Sequence, residues 1–230
     1  MTSEASASFE DAWRRFRETA SVQVRSGIED EWVQGRAQLL AFMVGILDHR
    51  IRSAIAGLVE KLRGLPCLDL YPEDCWHITV KMVGFSVVKK TRPDEVLRRD
   101  IGPILHAAER ALAGQPPFDV EMGPVNAFQD AVFLEVHDDG RLKALHQRLL
   151  AALSRYSRFA HDGDSYLPHL TLARYVSQEG LAALKERLAP LRSEKLGPLP
   201  VRRVEFVKAW LTGDYPEFDI IQPIALGRPG

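Results

Sequence analysis

Cysteine is nearly missing from this chain of 230 residues, which has only Cys67 and Cys75. Two thiols cannot build a disulfide framework or a thiolate metal site, so they read as ordinary reduced side chains. An excess of either charge is missing too: 30 basic residues face 31 acidic ones, a net charge of −1. Proteins that hold long nucleic acids usually carry a basic surplus, so no long nucleic-acid surface is expected and any such contact should be local. Long apolar runs are lacking. The longest, residues 39–47, falls well short of the ~20 residues needed to cross a bilayer, so no membrane partner is expected. Residues 1–20 are polar and charged, unlike a secretory signal, and the expected compartment is the cytoplasm. The chain also lacks a P-loop, a dinucleotide-binding glycine fingerprint and a nucleophile elbow, which removes the commonest NTPase, dehydrogenase and hydrolase readings.

Metal ligation fares no better. His137-Asp138-Asp139-Gly140 and His161-Asp162-Gly163-Asp164 contain ligand-type side chains. Both sit where Asp-Gly punctuation predicts a turn, and neither has a second cluster to complete a coordination shell. The expectation is a protein without a metal or other cofactor.

What the chain does have is a motif written twice: Trp76-His77-Ile78-Thr79-Val80 and Pro168-His169-Leu170-Thr171-Leu172. In a β-strand alternate side chains share a face, so His77 and Thr79 point one way while Ile78 and Val80 point the other. The second copy repeats this with His169 and Thr171. With seven histidines and six threonines in the chain, two such pairs are a coincidence at roughly the 1–2% level. An imidazole gives or takes a proton near neutral pH, and a hydroxyl hydrogen-bonds a phosphoryl oxygen. Two of each can cleave a phosphate ester without a metal.

Around these motifs the pattern predicts a helix over residues 8–19, with Phe9, Trp13 and Phe16 on one stripe and a capping box at Ser8 and Asp11. A looser stretch, residues 26–35, joins it to the rest. Further helices are expected over 49–63, 93–113, 141–156 and 179–189. Strands are expected over 39–47, 75–83, 118–122, 131–137, 166–175, 201–211 and 218–224. Helix followed by motif strand occurs twice, a weak internal duplication, and the mixture favours an α+β fold of two lobes. The division is a helical extension over 1–35 and one domain over 36–230.

The doubled His-x-Thr resembles the signature of the two-histidine (2H) phosphoesterase superfamily, which includes bacterial RNA 2′,3′-cyclic phosphodiesterases, also called 2′-5′ RNA ligases. The resemblance covers roughly residues 36–228. Residues 39–47 resemble the family's first core strand, Phe118-Asp119-Val120-Glu121-Met122-Gly123 the strand before the midpoint, and Leu170-Thr171-Leu172-Ala173-Arg174 the second motif with its trailing arginine. It implies a bilobal fold with two pseudo-symmetric antiparallel-sheet lobes, flanked by helices, around a central cleft. It also implies a monomeric enzyme opening a cyclic phosphate on an RNA end or nucleotide.

In that reading His77 and His169 are the acid and base, near-symmetry leaving their roles interchangeable, and Thr79 and Thr171 hold the non-bridging oxygens. Arg174 matches a phosphate-contacting arginine of the bacterial members. Strict alternation sends it to the opposite face, so it must stand beyond a bulge or at the strand end. Lys81 keeps the alternation with His77 and Thr79 and should face the cleft. Among the aromatic residues near the motifs, Trp76, Phe85, Tyr166 and Tyr175 are candidates to stack a nucleobase, with Tyr175 taken as a substrate contact. Two other readings stay open: the same site acting on a 2′-5′ linkage, a cyclic dinucleotide or an ADP-ribose cyclic phosphate, and a nucleotide-binding module without catalysis.

Overall fold

A computed structural model describes residues 8–25, 28, 33–159 and 166–227. Helix α1 (Phe9–Glu18) starts at Ser8, whose Oγ accepts the Asp11 amide at 3.1 Å, as the capping box requires. Strand β1 (Gln38–Gly45) leads to α2 (His49–Leu62), capped by Asp48, whose carboxylate accepts the Ile51 amide at 3.0 Å. Its buried stripe is Ile51, Ile55, Leu58, Val59 and Leu62. Next come β2 (Leu68–Leu70), β3 (His77–Val87), β4 (Glu95–Leu97), α3 (Ile101–Leu112), β5 (Phe118–Ala127) and β6 (Ala131–His137). The chain then forms α4 (Arg141–Leu153), β7 (His169–Tyr175), α5 (Leu181–Leu191), β8 (Gly197–Val201), β9 (Arg203–Trp210) and β10 (Glu217–Ala225).

The helix expected over 93–113 begins late. The buried Glu95 carboxylate accepts the amides of Thr91 and Arg92 at 2.6 and 3.0 Å, and residues 95–97 pair with β3 as a parallel strand instead. Strands β2 and β4, each three residues long, have no expected counterpart. Three residues carry too short a hydrophobic pattern to read.

The strands form one sheet in the order β10-β9-β1-β3-β7-β6-β5-β8, with β2 added on β7 and β4 on β3. All pairings among these named strands are antiparallel except β3–β4. The unit β1–α2–β3 recurs as β6–α4–β7, and the two four-stranded halves meet where β3 pairs with β7. The α+β bilobal architecture is therefore realised with both lobes sharing a continuous sheet. One sheet face carries the core. Leu40, Phe42, Val44, Ile78, Leu170 and Leu172 lie on it under the stripe of α2 and the buried leucines of α4 and α5. Each such side chain contributes roughly 1.5–3 kcal/mol by leaving water.

Helix α1 packs against β5. The Asn126 side-chain amide donates to the Phe9 carbonyl at 2.9 Å, and Lys185 of α5 donates to the carbonyls of Arg17 and Thr19. Phe16 is fully buried in the main core. No helix among the described residues is long and apolar enough to cross a membrane.

Candidate active site

Strands β3 and β7 pair antiparallel at Ile78 and Leu170, both fully buried. One step to either side, that register sets His77 opposite Thr171 and Thr79 opposite His169. All four side chains lie on the face away from Ile78 and Leu170, and all four are half-buried. The histidines are diagonal neighbours, which in a regular ladder lie roughly 7–8 Å apart, within reach of one phosphate.

Each imidazole is held the same way. His77 Nδ1 donates to the Cys75 carbonyl at 2.7 Å, and His169 Nδ1 to the Leu167 carbonyl at 2.8 Å. Both carbonyls belong to the residue two positions before the histidine. With the proton fixed on Nδ1, the Nε2 lone pair of each neutral ring is left for chemistry. Here the symmetry ends. The Thr79 hydroxyl donates to His77 Nε2 at 3.1 Å, whereas among the described residues nothing hydrogen-bonds His169 Nε2. Phe218 stands edge-on to His77 at 4.8 Å, while His169 is walled by two rings, Phe128 at 5.2 Å and Phe133 at 5.4 Å. Beside His77, an open cavity of about 470 Å³ is bounded by Pro72, Cys75 and residues 213–218.

Burial lowers the pKa of both histidines, because desolvation penalises the imidazolium. The Cys75 carbonyl opposes this at His77, and the charge of His169 depresses it further. At His169 the Leu167 carbonyl and the Asp130 carboxylate work in the opposite direction. The sign for stability follows: protons bind first to the unfolded chain, so stability is lost as pH falls below the ordinary imidazole value of ~6.5. The same sign predicts activity. Were one ring to act as base and the other as acid, kcat/KM would form a bell centred on the acid side of about 6.5. Initial rates from pH 4.5 to 9 check this, and a plateau extending to pH 9 is the result that breaks it.

Both motif strands carry a bulge just past the site. In β7 the partners Val132–Ala173 and Phe133–Thr171 leave Leu172 as the extra residue. In β3 the partners Phe42–Lys81 and Met43–Thr79 leave Val80 extra. Tyr166 caps the second bulge by donating from its hydroxyl to the Thr79 carbonyl at 3.0 Å, and His146 Nδ1 donates to the Val80 carbonyl at 2.8 Å.

The sequence model of the 2′-5′ RNA ligase superfamily matches residues 51–209, more than half of the chain and both His-x-Thr motifs. The chain belongs to this superfamily. No curated protein matches it. Among solved structures, TT0787 of Thermus thermophilus superposes with a TM-score of 0.63 at 18% identity, over 84% of this chain and 100% of that one. Escherichia coli LigT, solved in complex with 3′-AMP, gives 0.63 at 18% identity, over 84% and 99%. A conserved Agrobacterium tumefaciens protein, ATU0111, gives 0.55 at 17%, over 80% and 85%. At such identities the likeness is one of fold.

For this superfamily member the outer site residues need correction. Lys81 directly follows the Val80 bulge. Its side chain is buried, with Nζ donating to the Met82 carbonyl at 2.6 Å and lying 5.4 Å from the Phe159 ring centre. Tyr175 is fully buried in the main core, its hydroxyl donating to the Phe128 carbonyl at 3.2 Å, so it is packing and cannot stack a base. Phe85 and Trp76 are buried too. Arg174 does stand past a bulge, at Leu172, but its guanidinium engages the protein. Nη2 pairs with Asp69 at 2.5 Å, Nη1 donates to the Asp214 carbonyl at 2.7 Å, and the group lies over the Tyr215 ring. That arrangement ties β7 to the 213–218 wall of the cavity instead of presenting two free donors to a phosphate.

The 137–140 run forms a turn, with Asp138 accepting the amides of Gly140 and Leu142 and His137 facing Glu135 at 2.8 Å. Among the described residues no group of three or more ligand-type side chains converges. The 161–164 run lies outside the described residues. Sequence reasoning missed Phe128, Phe133 and Phe218, because they come to the histidines from the β5–β6 turn, from β6 and from β10, and no periodic pattern marks them.

Proposed function

We propose that this protein is a phosphodiesterase that opens a 2′,3′-cyclic phosphate by two-histidine acid–base catalysis. The observation that carries the reading is the Ile78–Leu170 register, which sets His77–Thr79 and His169–Thr171 head to tail on one face. His77, hydrogen-bonded by Thr79 and depressed by the charge of its partner, is the base, and its Nε2 takes a proton from water. The resulting hydroxide oxygen bonds to phosphorus, one P–O bond to the ribose breaks, and His169 Nε2 delivers its proton to the departing oxygen. Asp130 favours the charged form of His169, in keeping with the acid role. With substrate bound, the Thr79 hydroxyl turns from His77 Nε2 to a non-bridging oxygen, freeing the lone pair for water, and with Thr171 it supports the charge building there. The product is a phosphomonoester on one ribose oxygen.

The test is an assay against a panel of 2′,3′-cyclic nucleotides, 2′-5′-linked dinucleotides, cyclic dinucleotides and ADP-ribose cyclic phosphate. Turnover of the 2′,3′-cyclic compounds is expected, at a rate unchanged by EDTA, since two imidazoles make both proton transfers. Activity that chelation abolishes and a divalent ion restores would remove the assignment, and tight binding with no turnover of any compound would favour a nucleotide-binding module.

A further inference from the structure

Residues 8–25 lie outside the stretch that the superfamily model matches, which begins at residue 51, yet they reach the second half of the site. In β6, Phe133 pairs with Thr171 and Glu135 with His169, so both side chains point to the catalytic face. Asn126 of β5 pairs with Phe133 and shares that face. All three are buried, Phe133 completely, although it is not part of the main core. The first turn of α1 helps to cover them. The Phe9 ring lies 6.1 Å from that of Phe133 and 4.9 Å from that of His137, and the Phe9 carbonyl accepts from the Asn126 side chain. Phe9 is therefore one ring removed from His169, which Phe133 meets at 5.4 Å.

The same segment returns to the site at residues 22–25. The Gln23 amide donates to the Gln129 carbonyl at 2.6 Å, the Arg25 amide donates to the Tyr175 carbonyl at 2.7 Å, and Val24 bridges to Tyr175 in parallel. Arg25 Nη2 pairs with Asp130 at 3.3 Å. These contacts hold the turn from β5 to β6, residues 128–130. That turn carries Phe128, stacked on Phe133 at 3.9 Å and edge-on to His169 at 5.2 Å. It also carries Asp130, whose charge favours the imidazolium of His169. Of the other charges around His169, Glu135 on β6 is matched by Arg192 and faces His137, Arg174 on β7 is matched by Asp69, and His77 on β3 stands diagonally across. Asp130 is the one matched by a group from before β1.

We propose that residues 8–25 complete the active site: Phe9, acting through Phe133, and Arg25, acting through Asp130, are positioning residues for His169. This rests on the acid role given to His169 above and goes beyond it by drawing a segment outside the matched region into the reaction. Two physical effects carry it. A ring that must aim a proton along one line needs walls that do not yield, and Phe9 is the support behind one of them. A carboxylate that favours a charged imidazole is weakened by a cation beside it, so Arg25 tempers what Asp130 does.

The experiment uses the full-length protein as wild type, R25Q, D130N, F9A and F9L, with R14Q as a control on the exposed side of α1, where Arg14 pairs with Asp11. Two readouts are taken: the pH dependence of kcat/KM on 2′,3′-cyclic AMP, and NMR titration of the histidine ring signals without substrate. R25Q leaves Asp130 unopposed, so His169 should titrate at higher pH and carry the alkaline limb of the profile with it. D130N should move both to lower pH. His77 should not follow in either variant, because a charged His169 depresses it. A segment that merely stabilised the fold would not produce opposite shifts confined to one ring. F9A should lower kcat about tenfold with KM nearly unchanged, and F9L, which refills most of the volume and serves if F9A folds poorly, should lose less. R14Q should stay within about twofold of wild type, since an exposed pair contributes little. Shifts of His169 in the same direction in R25Q and D130N, no shift in either, or full kcat in F9A overturn the proposal. Should wild type turn over no cyclic phosphate, the catalytic reading fails, and the His169 titrations in R25Q and D130N then decide the positioning by themselves.

Discussion

His169→Ala should lower kcat on a 2′,3′-cyclic nucleotide by about 10²–10⁴-fold, and His77→Ala by a similar factor, with the fold retained. The size follows from what each ring does. In the proposed reaction each supplies one proton transfer from an Nε2 whose direction is fixed by an Nδ1 bond to the carbonyl two residues earlier. Alanine removes that transfer and leaves water, unpositioned, in its place. Both side chains are half-buried on the face away from the core, so neither substitution opens a cavity under α2 or α4. The double variant should be little worse than either single one, because an acid without its base is already idle. Thr79→Val should cost less, since it removes one hydroxyl from phosphate contact and from His77 Nε2. Steady-state kinetics with circular dichroism on each variant checks the series. A folded His77→Ala protein with full activity would end the two-histidine mechanism.

The pH dependence separates the two rings further. If His77 is the base and His169 the acid, His77→Ala abolishes the acid limb of the kcat/KM profile and His169→Ala the alkaline limb. The reverse pattern would exchange the roles and leave the reaction class intact.

The placement of the two motifs was legible in the sequence because strand alternation is a strict geometric rule over three residues. His77-Ile78-Thr79 and His169-Leu170-Thr171 are each three residues long, and within each the rule holds: the middle residue is fully buried and its two neighbours are half-exposed. The rule loses force at the first bulge. Val80 and Leu172 are both extra residues, and the assignments that depended on counting past them are the ones that needed revision. Lys81 was expected on the histidine face by counting through Val80. Arg174 was expected past an irregularity, and there is one, but its partners Asp69 and Asp214 come from β2 and from the loop before β10, which no local pattern couples to it. Tyr175 reads as a polar aromatic residue near a motif. Its burial depends on residues 22–25 and 128 closing over the strand end, contacts made at long range in the chain. Long elements with a full stripe, such as α2 and α4, were recovered within a few residues of their ends. The early half of the 93–113 segment was not, because a buried carboxylate that binds backbone amides outweighs helix propensity there.

The other large effect lies behind His169, in a buried ion pair. Glu135 sits opposite His169 in the β6–β7 register and is buried. It meets the Arg192 guanidinium from the end of α5, accepts from the Asn126 side-chain amide at 2.6 Å, and faces His137 at 2.8 Å. Arg192 also donates to the Val125 carbonyl at 3.1 Å, reaches Glu10 of α1 at 3.5 Å and lies under the Trp13 ring. One guanidinium therefore joins β5, β6, α5 and the N-terminal helix. Arg192→Met keeps the aliphatic contact with Trp13 but leaves the Glu135 carboxylate buried opposite an apolar side chain, a change that typically costs about 3–5 kcal/mol. In a chain of this size that corresponds to a fall in Tm of about 10 °C. Glu135→Leu combined with Arg192→Met should recover much of the loss, because the unpaired charge, not the absent attraction, carries most of the penalty. Thermal unfolding of the two single variants and the double variant forms a complete cycle. Should Arg192→Met unfold within a degree or two of wild type, the pair is not the clamp that its burial implies, and α1 is held by its apolar contacts alone.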